Sequence, residues 1–334
     1  KKKRIYYYKN LNTTQKTLNI IKFSMFSVIF PGQGSQSVGM VKKLYNSYSY
    51  IKDFFHKADE ILNFPLSKMI LEGPKEELDQ TENTQPAIFL ASYSIYEMIK
   101  RETKLDFNSA KYFAGHSLGE YSALAASEAL TFDQTIKLLK IRGKSMQSAF
   151  PSGEGGMLAV LGSEIKTISE LLNENKKKYE CFIANDNSNG QIVVSGKNNY
   201  LDLFIDDLKK KSIKNIRLAV SSPFHCRLMS LATERMKKEI NNTIFKDPKN
   251  SIISNVTATA TRESTEIKDL LIKQIESPVR WRESVIYMLK NGVTKFIEIG
   301  PGKVLSGLIK RIERNVDLIS VNGLEDLKDI NLND

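Results

Sequence analysis

The apolar positions of this chain keep two rhythms. Short unbroken apolar runs read as buried strands: "MFSVIF" (25–30), closed by the turn "PGQGSQ", and "YFAGH" (112–116), which runs straight into a helix. Around them, apolar residues return at helical spacing in "TQPAIFLASYSIYEMIKRE", "SLGEYSALAASEAL" and "TFDQTIKLLKIRGKSMQSAF", the last halted by Pro151. Strand, turn and helix in alternation predict an α/β domain built on a mostly parallel sheet.

The rhythm changes after "PSGEGG". "MLAVLG" reads as a strand, "SEIKTISELLNENKKK" as a helix, and "CFIAND" and "QIVVSG" as two strands joined by the turn "NSNG". "NNYLDLFIDDLKKKS" is a helix that puts Leu201, Phe204, Ile205 and Leu208 on one face, and "NIRLAVS" is a further strand. The order βαββαβ is the ferredoxin-like pattern, a unit able to pack its own core. Residues 153–221 are therefore expected to form a small domain inserted into a larger one spanning 25–152 and 222–325. The second half of the large domain carries helix "RLMSLATERMKKEI", strand "SIISNV", helices through "SVIYMLKNG", strand "KFIEIG", helix "KVLSGLIKRI" and strand "LISV". Residues 326–334 read as a polar tail.

Composition alters this picture little. Of 334 residues, 41% are hydrophobic and 26% charged, which suits a soluble globular chain with a substantial core. No apolar run reaches the roughly 18 residues of a membrane span. Cys181 and Cys226 make no disulfide framework and read as reduced thiols. Charge is more informative. The net charge is +11, but residues 1–24 contribute seven Lys or Arg and no acid, so the rest of the chain carries only +4. A basic, acid-free leader has two readings. One is the remnant of a transit peptide, which places the protein in a plastid-type organelle. The other is a disordered basic tail, which leaves a bacterial-type cytoplasm. The body lacks a concentrated basic and aromatic stripe, so nucleic-acid binding is not expected.

Gly115-His116-Ser117-Leu118-Gly119 fits G-x-S-x-G between a strand and a helix. In such a turn the serine backbone is strained and the hydroxyl exposed. The following helix aims its N-terminus there, so free N–H groups and the helix dipole can hold an oxyanion. Ser117 is the expected nucleophile; the alternative is a glycine-flanked serine capping a helix. A serine needs a general base, and the chain has three histidines, His56, His116 and His225. His116 adjoins Ser117, where neighbouring side chains diverge, and is expected to orient the turn or line a pocket. His56 sits in the surface-type helix "IKDFFHKADEIL". His225, in "SSPFHCRLMS", occupies the kind of sheet-edge loop where α/β folds place catalytic groups. By elimination His225 is the base, with capping or packing as the alternative. No third carboxylate stands out, and a backbone carbonyl can fix the imidazole tautomer instead.

Seven motifs, "FPGQGSQSVGM", "NTQPAIF", "GHSLGEYSAL", "RGKSMQ", "SSPFHC", "ESPVRW" and "EIGPGKVLSGLIKRI", resemble in order and near-spacing those of malonyl-CoA:acyl-carrier-protein transacylases, over about residues 25–325. The resemblance implies an α/β-hydrolase-like core with a ferredoxin-like insertion. It implies that Ser117 accepts the acyl group and His225 is its base, held by the backbone carbonyl of Gln274. It also implies an oxyanion hole made by the N–H groups of Gln33 and Leu118, and a malonyl carboxylate paired with Arg142. Gln85 and Asn185 match polar positions lining the pocket. Read without the resemblance, Arg142 is a solvated charge on an amphipathic helix. A guanidinium grips a carboxylate bidentately and can select malonyl over acetyl. Phe224 is expected to crowd the pocket against a branched acyl group. No metal or redox cofactor is implied, and a monomer is expected.

Two rivals remain: a serine hydrolase or thioesterase on a related fold, and a non-catalytic carrier-binding protein. Arg142 disfavours the first, because it calls for an anionic acyl group. The joint presence of Ser117, His225 and Arg142 disfavours the second. "GPGKVLSG" and "GQGSQSVG" lack the spacing of nucleotide-phosphate loops, and "NNT" and "NVT" are weak glycosylation matches. Acyl carrier proteins of such a pathway are acidic. "KKKSIKNIR" offers Lys209, Lys210, Lys211, Lys214 and Arg217 without an acid, as a docking surface or as a solvated helix end.

Overall fold

The computed structural model describes residues 25–220 and 222–331; the expected leader, 1–24, lies outside them. The strands are β1 Phe26–Phe30, β2 Tyr112–Gly115, β3 Gly155–Leu161, β4 Cys181–Ser188, β5 Gln191–Lys197, β6 Lys214–Arg217, β7 Ser251–Ile253, β8 Ala260–Thr261, β9 Lys295–Ile299 and β10 Asp317–Val321. They form two sheets, a six-stranded one in the order β10-β9-β1-β2-β7-β8 and a four-stranded one in the order β4-β5-β3-β6.

The large sheet is parallel from β10 to β7, and only the β7–β8 pair is antiparallel. Its central strands are mostly apolar because both faces are covered. Val28, Phe30, Phe113 and Ile297 point into one core, which the helices Thr81–Glu102 and Phe132–Ser148 cover with residues such as Ile88 and Leu139. Ile29, Ala114 and Phe296 point into the other, beneath helices Trp281–Lys290 and Val304–Ile312.

The small sheet is antiparallel. Leu158, Val160, Ile192 and Val194 pack on one face against Ile168 of helix Ile165–Glu174 and Leu201, Phe204 and Leu208 of helix Asn198–Lys210. Met157, Ala184 and Val193 on the other face join the core of the large sheet. The "ESPVRW" segment fastens the two sheets together. The N–H of Val279 donates to the carbonyl of Ala184 at 2.8 Å, and that of Asp186 to the carbonyl of Val279 at 2.9 Å. Arg282 then grips buried Asp186 through Nε and Nη2, the latter at 2.8 Å. The "GPGK" turn is occupied from within: the Glu298 carboxylate accepts the N–H groups of Leu305 and Ser306, capping the helix Val304–Ile312.

Three local readings of the sequence are corrected. The strand expected over "NIRLAVS" ends at Arg217, and Leu218, Ala219 and Val220 leave the sheet to line a cavity. "SIISNV" is strand only to Ile253, because the chain then turns back as β8. The tail contains a helix, Leu327–Asn331, whose Ile330 is buried on the main core.

The G-x-S-x-G turn explains its own glycines. A Cβ on Gly115 would lie 1.9 Å from the Gly119 backbone, and one on Gly119 would lie 2.3 Å from the Phe30 carbonyl oxygen. Gly307, exposed in helix Val304–Ile312, would meet nothing. Gly119→Ala is therefore expected to lower stability by about 1–3 kcal/mol or more through overpacking against rigid backbone. Gly307→Ala should raise it by up to about 1 kcal/mol through helix propensity. Thermal unfolding of the two variants checks the pair, and equal shifts would contradict the close approach.

Candidate active site

The carboxyl ends of β1, β2 and β7 lie side by side, where open α/β sheets place their ligand crevices. The loop after β1 carries Gln33, the turn after β2 carries Ser117, and the loop after β7 carries Asn255. Ser117 has φ 53°, a left-handed conformation that costs an L-residue energy. Asn255, fully buried, holds the turn from both sides. Its Oδ1 accepts the Ser117 N–H at 2.8 Å, and its Nδ2 donates to the Gly115 carbonyl at 2.7 Å.

That geometry aims the Ser117 hydroxyl at His225, whose Nε2 lies 2.8 Å from Oγ. His225 comes from the loop after β6 and is itself left-handed, with φ 58°. Its Nδ1 lies 2.9 Å from the carbonyl oxygen of Gln274, the last residue of helix Ser264–Gln274. A carbonyl only accepts, so Nδ1 carries the proton and Nε2 presents its lone pair to the serine. Burial first, and Arg142 second, push the imidazole down to about 3, so it is neutral at pH 7.

Arg142 is not on a solvated face. It is fully buried, projecting from helix Phe132–Ser148 over the Tyr121 ring. Its Nη1 donates to Gln85 Oε1 at 2.8 Å; its Nη2 donates to Gln274 Oε1 at 2.8 Å and to Ser117 Oγ at 3.2 Å. Burial lowers its pKa, yet an arginine stays a cation there. Its direct side-chain acceptors are neutral, so the guanidinium remains competent to bind an anion.

The remaining predicted residues converge on one cavity of about 540 Å³, lined by Gln33, Leu118, His116, Asn185 and Phe224 with Gln85, Ser117 and His225. Leu118 stands at the N-terminal end of helix Gly119–Ala126, where backbone N–H groups lack helical partners. His116 turns away from the serine: its Nε2 lies 2.9 Å from Asn187 Oδ1, and its ring packs near Trp281. Asn185 Oδ1 is buried without a protein partner. The lysine cluster lies outside this cavity, on the edge strand β6 and the helix before it. It is also less free than its local sequence suggests. Lys209 pairs with Asp206, Lys210 with Asp207 and Arg217 with Asp202, all acids from preceding turns of the same helix. Among the described residues, Lys211 and Lys214 pair with no acid.

Sequence reading missed two buried polar residues. Asn255 was visible only as the first residue of "NVT"; its burial rules out a glycan on the folded chain. Glu120, an acid in the otherwise apolar stretch "GEYSALAA", is also buried. Its Oε2 accepts the Asn255 N–H at 3.0 Å and Gln274 Nε2 at 2.7 Å, and burial pushes its carboxyl up to about 7. A lone acid in an apolar helix was the available signal for it. Together these groups form a hydroxyl paired with a neutral imidazole beside a buried cation.

A profile of the acyl transferase domain family matches residues 27–324. The chain is 41% identical over 307 residues to a malonyl CoA-acyl carrier protein transacylase of Bacillus subtilis (strain 168), covering 91% of this chain and 96% of the relative. It is 40% identical over 298 residues to the protein of that name from Haemophilus influenzae, covering 89% and 95%. Among solved structures, an acyl-carrier-protein-S-malonyltransferase from Bartonella henselae superposes with a TM-score of 0.89 at 36% identity, covering 92% of this chain and 98% of that one. A malonyl-transacylase solved in complex with its type II PKS acyl-carrier protein gives a TM-score of 0.89 at 35% identity, covering 93% and 100%.

Asn255→Ala would strip partners from the Ser117 N–H and the Gly115 carbonyl. The expected cost is about 2–4 kcal/mol of stability. A slower reaction of Ser117 with a serine-directed phosphonate probe should accompany it. Unchanged unfolding and an unchanged labelling rate would show that Asn255 does not hold the turn.

Proposed function

The chain belongs to the acyl transferase family, and from that premise we propose that it transfers the malonyl group of malonyl-CoA to the phosphopantetheine thiol of acyl carrier protein. The observation that carries this reading is the buried Arg142 placed 3.2 Å from a hydroxyl that is also 2.8 Å from a neutral imidazole. These distances support acyl transfer with selection of an acid-bearing acyl group.

Transfer runs in two half-reactions. His225 Nε2 takes the Ser117 proton as Oγ attacks the malonyl thioester carbon. The tetrahedral oxyanion is held by the N–H groups of Gln33 and Leu118, at the mouth of helix Gly119–Ala126. The C–S bond breaks, and His225 returns the proton to the leaving coenzyme A thiolate. A malonyl ester stays on Ser117. The carrier's thiol, deprotonated by His225, then attacks the ester and regenerates the serine. Throughout, Arg142 grips the distal carboxylate, with Gln85 and Gln274 fixing the guanidinium plane. Asn185 and His116 shape the polar wall, and Phe224 leaves no room for an α-branch. No metal or redox cofactor enters the steps; the only prosthetic group is the carrier's own. We read residues 153–221 as a ferredoxin-like unit, supported by its β-α-β-β-α-β order, and the acid-free segment 1–24, on its composition, either as the remnant of a plastid-type leader or as a basic tail on a protein of a bacterial-type cytoplasm.

We propose that the carrier lands beside the cavity, on the edge strand β6. There β6 exposes Ile216 beside Lys214, and Leu218 leads into the site. Lys211 and Lys214 supply the unpaired positive charge for an acidic partner.

Mass spectrometry after mixing with malonyl-CoA tests the reading. A malonyl adduct should appear on Ser117 and be absent from Ser117→Ala. Rapid release of free malonate would make the protein a hydrolase, and no adduct would make it non-catalytic. Arg142→Ala should cost roughly 2–5 kcal/mol in malonyl kcat/KM and erase the preference over acetyl-CoA. An unchanged malonyl-to-acetyl ratio would remove Arg142 from the pocket. Charge reversal at Lys211 and Lys214 should raise KM for the carrier, not for malonyl-CoA, and the wild-type reaction should weaken with salt. Equal effects on both substrates would place docking elsewhere.

A further inference from the structure

Glu120 is a buried ionisable group that the proposed mechanism leaves unused. It is nearly inaccessible; its backbone N–H donates to the Ser117 carbonyl at 3.1 Å, but its carboxylate bonds neither Ser117 nor His225 and does not line the cavity. It meets the site through the Gln274 carboxamide, also fully buried. Oε1 of that amide faces the Arg142 guanidinium at 2.8 Å, and Nε2 faces the Glu120 carboxylate at 2.7 Å. The amide's polarity is dictated by the charges on either side: turned over, it would set its NH₂ against a cation and its oxygen against an anion. The dipole of Gln274 thus joins a positive to a negative group that never touch.

We propose that Glu120 is the resting counter-ion of Arg142, relayed through Gln274, and that it takes up a proton from solvent when the malonyl carboxylate settles on Arg142. Charge balance among buried groups drives the uptake, which rests on the malonyl reading above. Empty, the site holds one cation and one anion and is balanced. A malonyl carboxylate adds a second anion on the same cation. Arg142 then no longer favours the Glu120 carboxylate, and a like charge has arrived nearby. Protonating Glu120 restores the balance.

The surroundings leave Glu120 as the group that answers. Arg142, from helix Phe132–Ser148, is the charge that acts on it, and helix Thr81–Glu102 presents the neutral Gln85 to that cation. Asn255 faces it from the loop after β7 and Gln274 from helix Ser264–Gln274, both neutral. Tyr121, next to it on its own helix, is pushed up to about 12 and keeps its proton. His225, hung on the Gln274 carbonyl, and His116 are both held down by burial and resist a second proton. Burial already holds the Glu120 carboxyl up at about 7, against the pull of Asn255, Gln274 and Arg142. It is therefore largely ionised at pH 8, and a modest further rise protonates it.

The sign follows. A group whose pKa rises on binding makes binding strongest below its resting pKa and weaker as pH climbs through it. Malonyl affinity should fall as pH rises from about 7, while acetyl-CoA, which lacks the carboxylate, should show no such fall.

Calorimetric titration of the Ser117→Ala protein with malonyl-CoA at pH 8, in phosphate and in Tris, counts the protons directly. More than roughly half a proton should be taken up per molecule bound, none with acetyl-CoA, and none when Glu120→Gln is added. Binding without uptake, or uptake that survives Glu120→Gln, overturns the proposal and leaves the malonyl reading standing. Failure of malonyl-CoA to bind overturns both. Infrared difference spectra of the Ser117→Ala protein avoid dependence on the second variant. Malonyl-CoA should produce a protonated-carboxyl band that shifts in D₂O, and its absence also overturns the proposal.

Discussion

The site depends on the backbone of Ser117 being held left-handed at φ 53°. In a relaxed conformation the hydroxyl would not face His225. The strain is offset locally rather than by the fold at large. Asn255 supplies a donor and an acceptor to the turn, and glycines at 115 and 119 let the helix approach the Phe30 carbonyl without collision. The same turn sets the start of helix Gly119–Ala126, so one distortion fixes both the Ser117 hydroxyl and the expected oxyanion donors.

Gln274 links the remaining functions. Its backbone carbonyl fixes the tautomer of His225, and its side chain bridges Arg142 and Glu120. A carbonyl in place of a carboxylate behind the histidine has a physical reason. A carboxylate there would set another formal anion, besides Glu120, close to the Arg142 guanidinium. His225 and Arg142 are thus both positioned by one residue, and the helix Ser264–Gln274 that carries it runs on into "ESPVRW", the segment that pins the small sheet in place. Movement of the small sheet would therefore disturb the cavity wall and the base together.

Much of this was legible in the sequence where the signal is local. The buried strands, the α/β alternation and the strand-turn-helix around Ser117 follow from runs of apolar residues and the placement of glycine. His225 emerged because only three histidines compete. What was not legible depends on partners distant in sequence. Arg142 reads as a solvated helix charge until Gln85, more than fifty positions earlier, and Gln274, more than a hundred later, are seen around it. Asn255 and Glu120 look ordinary because nothing adjacent shows that they meet. The lysine cluster erred the other way: its acids lie one helical turn earlier, outside the nine residues read as a unit.

The central claim is that a buried, neutral His225 donates Nδ1–H to Gln274 and offers Nε2 to Ser117. Nitrogen NMR of the imidazole rings reads this directly, and with only three histidines the His225 signals are assignable by one substitution. The account predicts, at pH 7, a protonated Nδ1 and a bare Nε2, with no imidazolium forming until below about pH 5, since burial and Arg142 both disfavour the charged ring. An Nε2–H tautomer, or a ring that titrates near the ordinary histidine value of about 6.5, would contradict it.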